Sequence, residues 1–414
     1  MNGSKPRDVF RLPGYLAFWS AETVSEFGTY ITTLSLQVLV VVTLSGSATD
    51  VGLLNAARWL PYLVFGLVMG ALVDRWRRKP LLVGTDLGRA LLLGAIPAFW
   101  WLGWLSLPML MVFVALFGVL TLLNDAASQS FVPRIVPAPF LLAANARLDQ
   151  GAAVAQTSGP VIAGALVTTL GAPLAVLADA ASYLFSAVVV SRIAVQEPRR
   201  DIAAHSLNLR REIGAGLAYV YRHPMLAPFA ISTHAWFLFN SMLVTVFVPF
   251  LLLELKLSAF QLGIALAAAG VTGLLGSLLA AHIGRAWGAG GAVIACRALM
   301  PAAWAVIAIA PATGRWTLVA LAVGQGLYGL AMGASNANEM AYRQAVTPDA
   351  LQARMNTTMR SLNRAMIVVG APAGGWLADS IGYRPTLWIA IAGFIAVTIF
   401  LAASPYRGAR HGDG

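Results

Sequence analysis

The chain has 414 residues, 58% of them apolar and only 11% charged, with a net charge of +11. A soluble domain carries roughly 25% charged residues, so the composition excludes an ordinary water-soluble enzyme, a disordered chain and a nucleic-acid-binding domain. Twelve membrane helices of about 20 residues need about 240 apolar residues, which is what 58% of 414 supplies. The basic excess is therefore assigned to cytoplasmic loops that set topology, not to nucleic acid. Cys296 is the single cysteine, which leaves no internal disulfide and no multi-cysteine metal site.

The opening MNGSKPRDVFRLPG is short, basic and polar. No small-residue cleavage site follows a short apolar core, so no removable signal peptide is expected. Long apolar runs then recur at 14–43, 49–73, 80–102, 107–131, 146–170 and 173–194. A polar stretch at 195–224 interrupts them, and six more follow at 225–253, 258–283, 290–311, 316–341, 357–382 and 385–404. With the N-terminus inside, nearly all loop Lys and Arg fall on the cytoplasmic side, while Lys256, Arg315 and Arg384 fall outside. That asymmetry puts both termini in the cytoplasm. The abundance of Arg and Ala suggests a bacterium, hence the inner (plasma) membrane.

The chain repeats at an offset of 211 residues, from Arg11, Pro13 and Phe18 to Arg222, Pro224 and Phe229. Ser47, Ala48 and Gly52 recur as Ser258, Ala259 and Gly263, Trp76 as Trp287, and Asn145 as Asn356. Gly159, Gly164 and Gly171 recur as Gly370, Gly375 and Gly382. Both halves start inside and hold six spans, so they are parallel repeats, an arrangement found in transporters that rock two bundles about a central site. The expected organisation is an N-terminal six-helix bundle at 1–194, a cytoplasmic linker at 195–224 and a C-terminal six-helix bundle with a short tail at 225–414. Within the linker, Leu209, Ile213, Leu217, Val220 and Tyr221 share one helical face, which predicts an amphipathic helix on the membrane surface.

Span 1 carries Glu22, Glu26 and Tyr30 at steps of four, one polar stripe in an apolar run. A carboxylate in hydrocarbon is costly and marks an ion or proton path. Glu26 lies near mid-depth and is the leading candidate for proton exchange, with Glu22 and Asp125 beside it. Arg58 falls near mid-depth on span 2. An Arg58–Glu26 ion pair, the rival arrangement, keeps both groups charged and works against exchange.

Between spans 2 and 3 stands GALVDRWRRK, residues 70–79. It resembles the Gly-x-x-x-Asp-Arg-x-Gly-Arg-Arg/Lys motif of the major facilitator superfamily at Gly70, Asp74, Arg75, Arg78 and Lys79, with Arg77 replacing the second glycine. The flanking RWLPYLVFGLVMGALVDRW and LVGTDLGRALLL look like its macrolide-efflux and enterobactin-exporter-like branch, and the resemblance covers the whole chain. It implies an all-α polytopic membrane protein of 12 transmembrane helices in two pseudo-symmetric six-helix bundles. It also implies that Gly70, Asp74, Arg75 and Arg78 gate the outward-facing state rather than bind substrate. The four positive charges of this loop also fix topology. In span 5, AQTSGPVIAGAL is similar to the exporter signature at Gly159, Pro160 and Gly164, with Ala155 and Ala163 in place of glycines; a plain packing kink is the other reading.

By the same resemblance, spans 1, 4, 7 and 10 line the cavity. Span 4 offers Thr121, Asn124, Asp125 and Ser128; span 7 offers His234, Trp236, Asn240 and Ser241; span 10 offers Gln325, Tyr328, Asn336 and Glu339. Asp125 and Glu339 lie near the inner ends, where a gate contact and a substrate contact are equal alternatives. Asp179 in span 6 is either structural or a second proton site. With Tyr30, Arg58, Trp236, Phe237 and Tyr328, the cavity suits amphiphilic or cationic molecules, held by apolar burial and cation–π contact. Arg360 and Arg364, at the start of span 11, either hold an anion or sit in the rim of a capped helix.

The five histidines are scattered, and no metal spacing, nucleophile elbow or phosphate-cradling loop occurs. The expectation is a monomeric secondary transporter without cofactor, metal or ATP, not an enzyme. It exports amphiphilic drug-like or natural-product molecules in exchange for protons. The alternative is a dedicated exporter of a siderophore, an endogenous metabolite or a lysolipid. A membrane-embedded enzyme or a receptor is the reading from another class, and it lacks a clustered nucleophile and base or a soluble output domain.

Overall fold

The computed structural model describes residues 6–73, 76–195 and 209–410. In lipid, backbone N–H and C=O groups must be satisfied within a helix or a closed barrel, and the apolar runs form helices. The first bundle consists of α1 (Tyr15–Val38), α2 (Ala48–Val73), α3 (Arg78–Trp101), α4 (Leu107–Ile135), α5 (Leu141–Leu170) and α6 (Ala172–Ser191). A shorter helix, α7 (Leu209–Arg222), precedes the second bundle of α8 (Leu226–Pro249), α9 (Ala259–Ala308), α10 (Arg315–Val346), α11 (Asp349–Ile381) and α12 (Tyr383–Ala403). The 50 residues of α9 are two crossings joined at Gly288, where a φ of 72° breaks the helix. Such a dihedral suits glycine, which has no Cβ to clash. Among the described residues nine helices are long and apolar enough to cross a membrane. Counting α9 twice and adding α2 and the arginine-bearing α11 gives the twelve expected crossings.

The repeat is visible in the backbone. π-helical turns at Leu39–Thr43 and Phe250–Glu254 follow α1 and α8 at the same offset. Ser45 and Lys256 then share a φ of 51°. One face carries both described ends of the chain: Lys79 donates to the Ile193 carbonyl at 2.8 Å, and the Gly290 N–H donates to the Ala409 carbonyl at 3.0 Å. This is the basic face; the opposite one is the far face.

α7 lies within the expected linker and packs on the second bundle. Its Tyr219 hydroxyl donates to the Val346 carbonyl, Val220 is buried, and Gly216 lies against Thr358 and the Arg354 carbonyl. It is clamped to the second bundle, while Leu217, expected on the apolar face, is 38% exposed. The remainder of the expected linker, 196–208, lies outside the described residues.

The two bundles meet along two seams in the far half, related by the repeat. A methyl at Gly52 of α2 would lie 2.4 Å from the Ala371 carbonyl oxygen of α11, and one at Gly375 would lie 2.2 Å from that of Ala48. In the other seam, methyls at Gly164 and Gly263 would lie 2.5 Å from the Ala259 oxygen and 2.3 Å from the Pro160 oxygen. Small residues permit this backbone contact, which is the main source of helix association in lipid. One feature separates the seams. Asp379 of α11 accepts from the N–H groups of Ala48 (3.0 Å) and Thr49 (2.8 Å) and from the Thr49 hydroxyl, so it caps α2 from the opposite bundle. Its repeat counterpart is Thr168, and α9 is capped instead by its own Ser258 and Gln261.

A carboxylate capping a helix N-terminus contributes about 1 kcal/mol. Asp379→Ala should therefore move the equilibrium about fivefold away from this far-side-closed state. Spin labels at the exposed far-face residues Ser106 and Ala312 read that shift as a longer distance population; an unchanged distribution would show that the cap does not hold the seam.

Candidate functional site

With the far half sealed, open space lies between the bundles toward the basic face. A vestibule of about 530 Å³ is walled by Tyr62 and Gly66 of α2, Asp125 and Gln129 of α4, Met340 and Arg343 of α10, and Asn356, Arg360, Ser361 and Arg364 of α11. Deeper, a second cavity of about 260 Å³ is walled by Tyr30, Gln37, Pro160, Phe247, Trp304, Gln325 and Tyr328. The first is polar and charged; the second is mainly apolar and aromatic. Together they can house a molecule with a polar head and an apolar body.

The residues expected to carry function fall into three groups. The first group combines residues that wall a cavity with Glu22, Glu26 and Arg58, which wall neither of the two. Tyr30, Pro160, Gln325 and Tyr328 wall the deeper cavity, and the Tyr328 hydroxyl donates to Asn240 Oδ1 at 2.6 Å. Asp125 walls the vestibule and accepts from the Tyr62 hydroxyl at 2.6 Å. Glu22 accepts from Ser128 at 3.1 Å, which ties α1 to α4. Glu26, one turn farther along the same face, is half-buried and close enough to Asp125, Arg89 and Arg58 to feel their charges. Among the described residues it has no ion-pair partner. The rival Arg58–Glu26 pair is absent: Arg58 donates to Thr33 Oγ1 at 2.7 Å and lies beside the Trp59 ring.

The second group walls neither cavity. Asn124 is buried and donates to Thr85 (2.8 Å) and Asp86 (3.1 Å). Trp236 is buried, with Nε1 on Met300 Sδ and its ring stacked on Phe394. Glu339 pairs with Arg297 at 3.0 Å and accepts from Ser335 at 2.8 Å, so its carboxylate is engaged within the second bundle. His234 donates through Nδ1 to Asn363 Oδ1 and accepts from the Tyr221 hydroxyl, each at 2.7 Å, joining α7, α8 and α11. Asn336 is exposed and walls neither cavity. Asp179 is fully buried against Gly28 of α1 and accepts from Ser182 at 2.8 Å.

The third group belongs to the proposed gates. Gly159 packs against the Tyr30 ring, and Pro160 and Gly164 form the α5–α9 seam. Gly70 lies near the end of α2, and Arg78 is buried, donating to Ser130 and to the Trp76 carbonyl at 3.4 Å each. Asp74 and Arg75 lie outside the described residues.

Sequence reasoning missed the largest buried charges. Asp86 and Arg89 form an ion pair inside α3, with Ser186 donating to Asp86 at 2.6 Å and Arg89 lying 4.1 Å from the centre of the Tyr183 ring. The signal was an Asp and an Arg three apart in LVGTDLGRALLL, a spacing that puts both on one helix face. Tyr62 and Trp59 were missed as well. They flank Arg58 on α2, and Arg364 of the opposite bundle stacks 3.9 Å from the Trp59 ring centre.

Residues 7–411 match the family described as transmembrane secretion effector. The uncharacterized MFS-type transporter y4rN of Sinorhizobium fredii is 27% identical over 377 residues, 89% of each chain. Macrolide efflux protein A of Streptococcus pyogenes is 25% identical over 214 residues, 49% of this chain and 50% of that one. The crystal structure of the nucleoside transporter NupG superposes with a TM-score of 0.75 at 13% identity, covering 94% of this chain and 98% of that one.

Removing one partner of a buried ion pair costs about 3–5 kcal/mol, whereas removing both is nearly neutral. Asp86→Ala should accordingly lower the thermal midpoint of the purified protein by several degrees, and Asp86→Ala with Arg89→Leu should recover most of the loss. Equal melting of the single variant and the parent would contradict a structural pair.

Proposed function

The chain belongs to the transmembrane secretion effector family of the major facilitator superfamily, and from that premise we propose that it exports amphiphilic small molecules by proton antiport. The observation that carries this reading is Glu26. It is a carboxylate within a spanning helix, half-buried, without an ion-pair partner among the described residues, and one turn from the Tyr30 that walls the deeper cavity. A charge in that position is tolerated only where water or a proton reaches it. Asp125 and Glu22, on the same side, are the accessory groups.

The concentration of Lys and Arg on the basic face argues that this face is cytoplasmic. The vestibule is then the inner mouth, and the two glycine seams close the outside. Alternating access follows from rocking about the central site. The seams part, and the inner ends of α4 and α5 approach α10 and α11. Glu26 releases its proton inward before substrate binds and takes one from outside as substrate leaves. The aromatic deeper cavity supports an apolar moiety as the part that travels farthest inward. Export, rather than import, draws support from the likeness to macrolide efflux protein A.

Glu26→Gln should abolish pH-driven efflux in everted vesicles while expression and melting stay at the level of the parent. Undiminished transport by that variant under an imposed proton gradient would reject Glu26 as the coupling group.

A further inference from the structure

The walls of the vestibule carry opposite charge on the two bundles. The second bundle presents Arg343 of α10 with Arg360 and Arg364 of α11; the first presents Asp125 of α4. No carboxylate among the described residues forms an ion pair with any of these three arginines. Arg364 lies over Trp59, 3.9 Å from the ring centre, and its Nε is buried without a hydrogen-bond partner. The Nε of Arg343 is likewise buried and unpartnered, and its Nη2 reaches only the Met340 sulfur at 3.4 Å. Arg360 is exposed to the vestibule.

Guanidinium groups that are desolvated, oriented by stacking and short of acceptors are built to receive a phosphate, sulfate or carboxylate. The opposite wall is not neutral. The Tyr62 hydroxyl holds Asp125 at 2.6 Å, which leaves its remaining acceptor capacity to the vestibule. A lone anion would satisfy the arginines and face a carboxylate; a lone organic cation would satisfy Asp125 and face three arginines. One head group bearing both signs complements both walls, and the aromatic cavity beyond takes its apolar chain.

We propose that the substrate is an amphiphile with a zwitterionic head group, its anionic group on Arg360 and Arg364 and its cationic group toward Asp125. This rests on the export reading above and narrows its substrate class. It also fits proton exchange, because the cationic group and the proton compete for carboxylates of one wall.

The test is calorimetric titration of the purified protein in maltoside detergent, below the micellar range of each ligand. Four probes are compared: dodecylphosphocholine, dodecyl phosphate, dodecyltrimethylammonium and chain-free phosphocholine. Dodecylphosphocholine should bind tightest, and chain-free phosphocholine far more weakly; equal binding of those two would assign the site to a free zwitterion instead of an amphiphile and overturn the proposal. Loss of a hydrogen-bonded charge partner weakens binding by about tenfold or more. Arg360→Gln and Arg364→Gln should therefore weaken dodecylphosphocholine and dodecyl phosphate by that factor and strengthen dodecyltrimethylammonium, which loses a like charge. Asp125→Asn should weaken the two choline-type amphiphiles and strengthen the phosphate. Retained binding of the singly charged probe that each substitution favours shows that the variant is folded. The proposal fails if dodecylphosphocholine binds no better than both singly charged probes, or if the arginine variants weaken the cation as much as the zwitterion. Proton release on binding is read in the same titrations by varying the buffer. If the charge pattern holds but no proton moves with any probe, the antiport reading fails and the head-group assignment stands.

Discussion

An ionised side chain within lipid must find a partner or water, and that single requirement sorts the charges of this protein. In the first bundle, Asp86 and Arg89 neutralise each other inside α3, with Asn124 and Ser186 filling the remaining acceptors. In the second, Arg297 and Glu339 do the same between α9 and α10, with Ser232, Thr233 and Ser335 around them. These clusters hold their bundles together, and none of their four charged residues walls the vestibule. Glu26, Arg343, Arg360 and Arg364 have no ion-pair partner among the described residues. The three arginines wall the vestibule, and Glu26 lies one turn from the deeper cavity.

The repeat sharpens the same division. Where the halves agree, residues shape the backbone: Gly52 and Gly263, Gly164 and Gly375, Ser45 and Lys256, and the two π-helical turns. Where they disagree, charge is involved. Glu26 stands opposite Phe237, Asp125 opposite Asn336, Arg58 opposite Ala269, Arg364 opposite Ala153, and Asp379 opposite Thr168. A symmetric pair of bundles gives a cavity that can open on either side. The asymmetric charges give that cavity a sign on each wall and give only one of the two seams a carboxylate cap.

The fold was legible because its signals are redundant. Apolar run length, arginine placement and the offset between the halves each lead to twelve crossings in two bundles. The site was legible only in part. Glu26, Tyr30, Asp125, Gln325 and Tyr328 stood out as polar residues in apolar runs; four of them wall a cavity, and Glu26 lies one turn from Tyr30. Asn124, Trp236 and Glu339 stood out equally but turned inward, because a helix places a polar residue on one of several faces and only its neighbours decide which. Asn124 is captured by Asp86, and Glu339 by Arg297. Those captures depend on partners 38 and 42 residues away. Asp379, 331 residues from the Ala48 amide that it caps, had no local signal at all.

The sorting of charges is tested most directly by the water accessibility of single cysteines in a Cys296→Ser background. Cysteines at positions 26, 360 and 364 are compared with cysteines at 86 and 179, using a membrane-impermeant thiol reagent on vesicles of both orientations. The account predicts rapid labelling of the first three from the basic face and protection of the last two from either side. Comparable labelling of both sets, or protection at 26, 360 and 364, would contradict it.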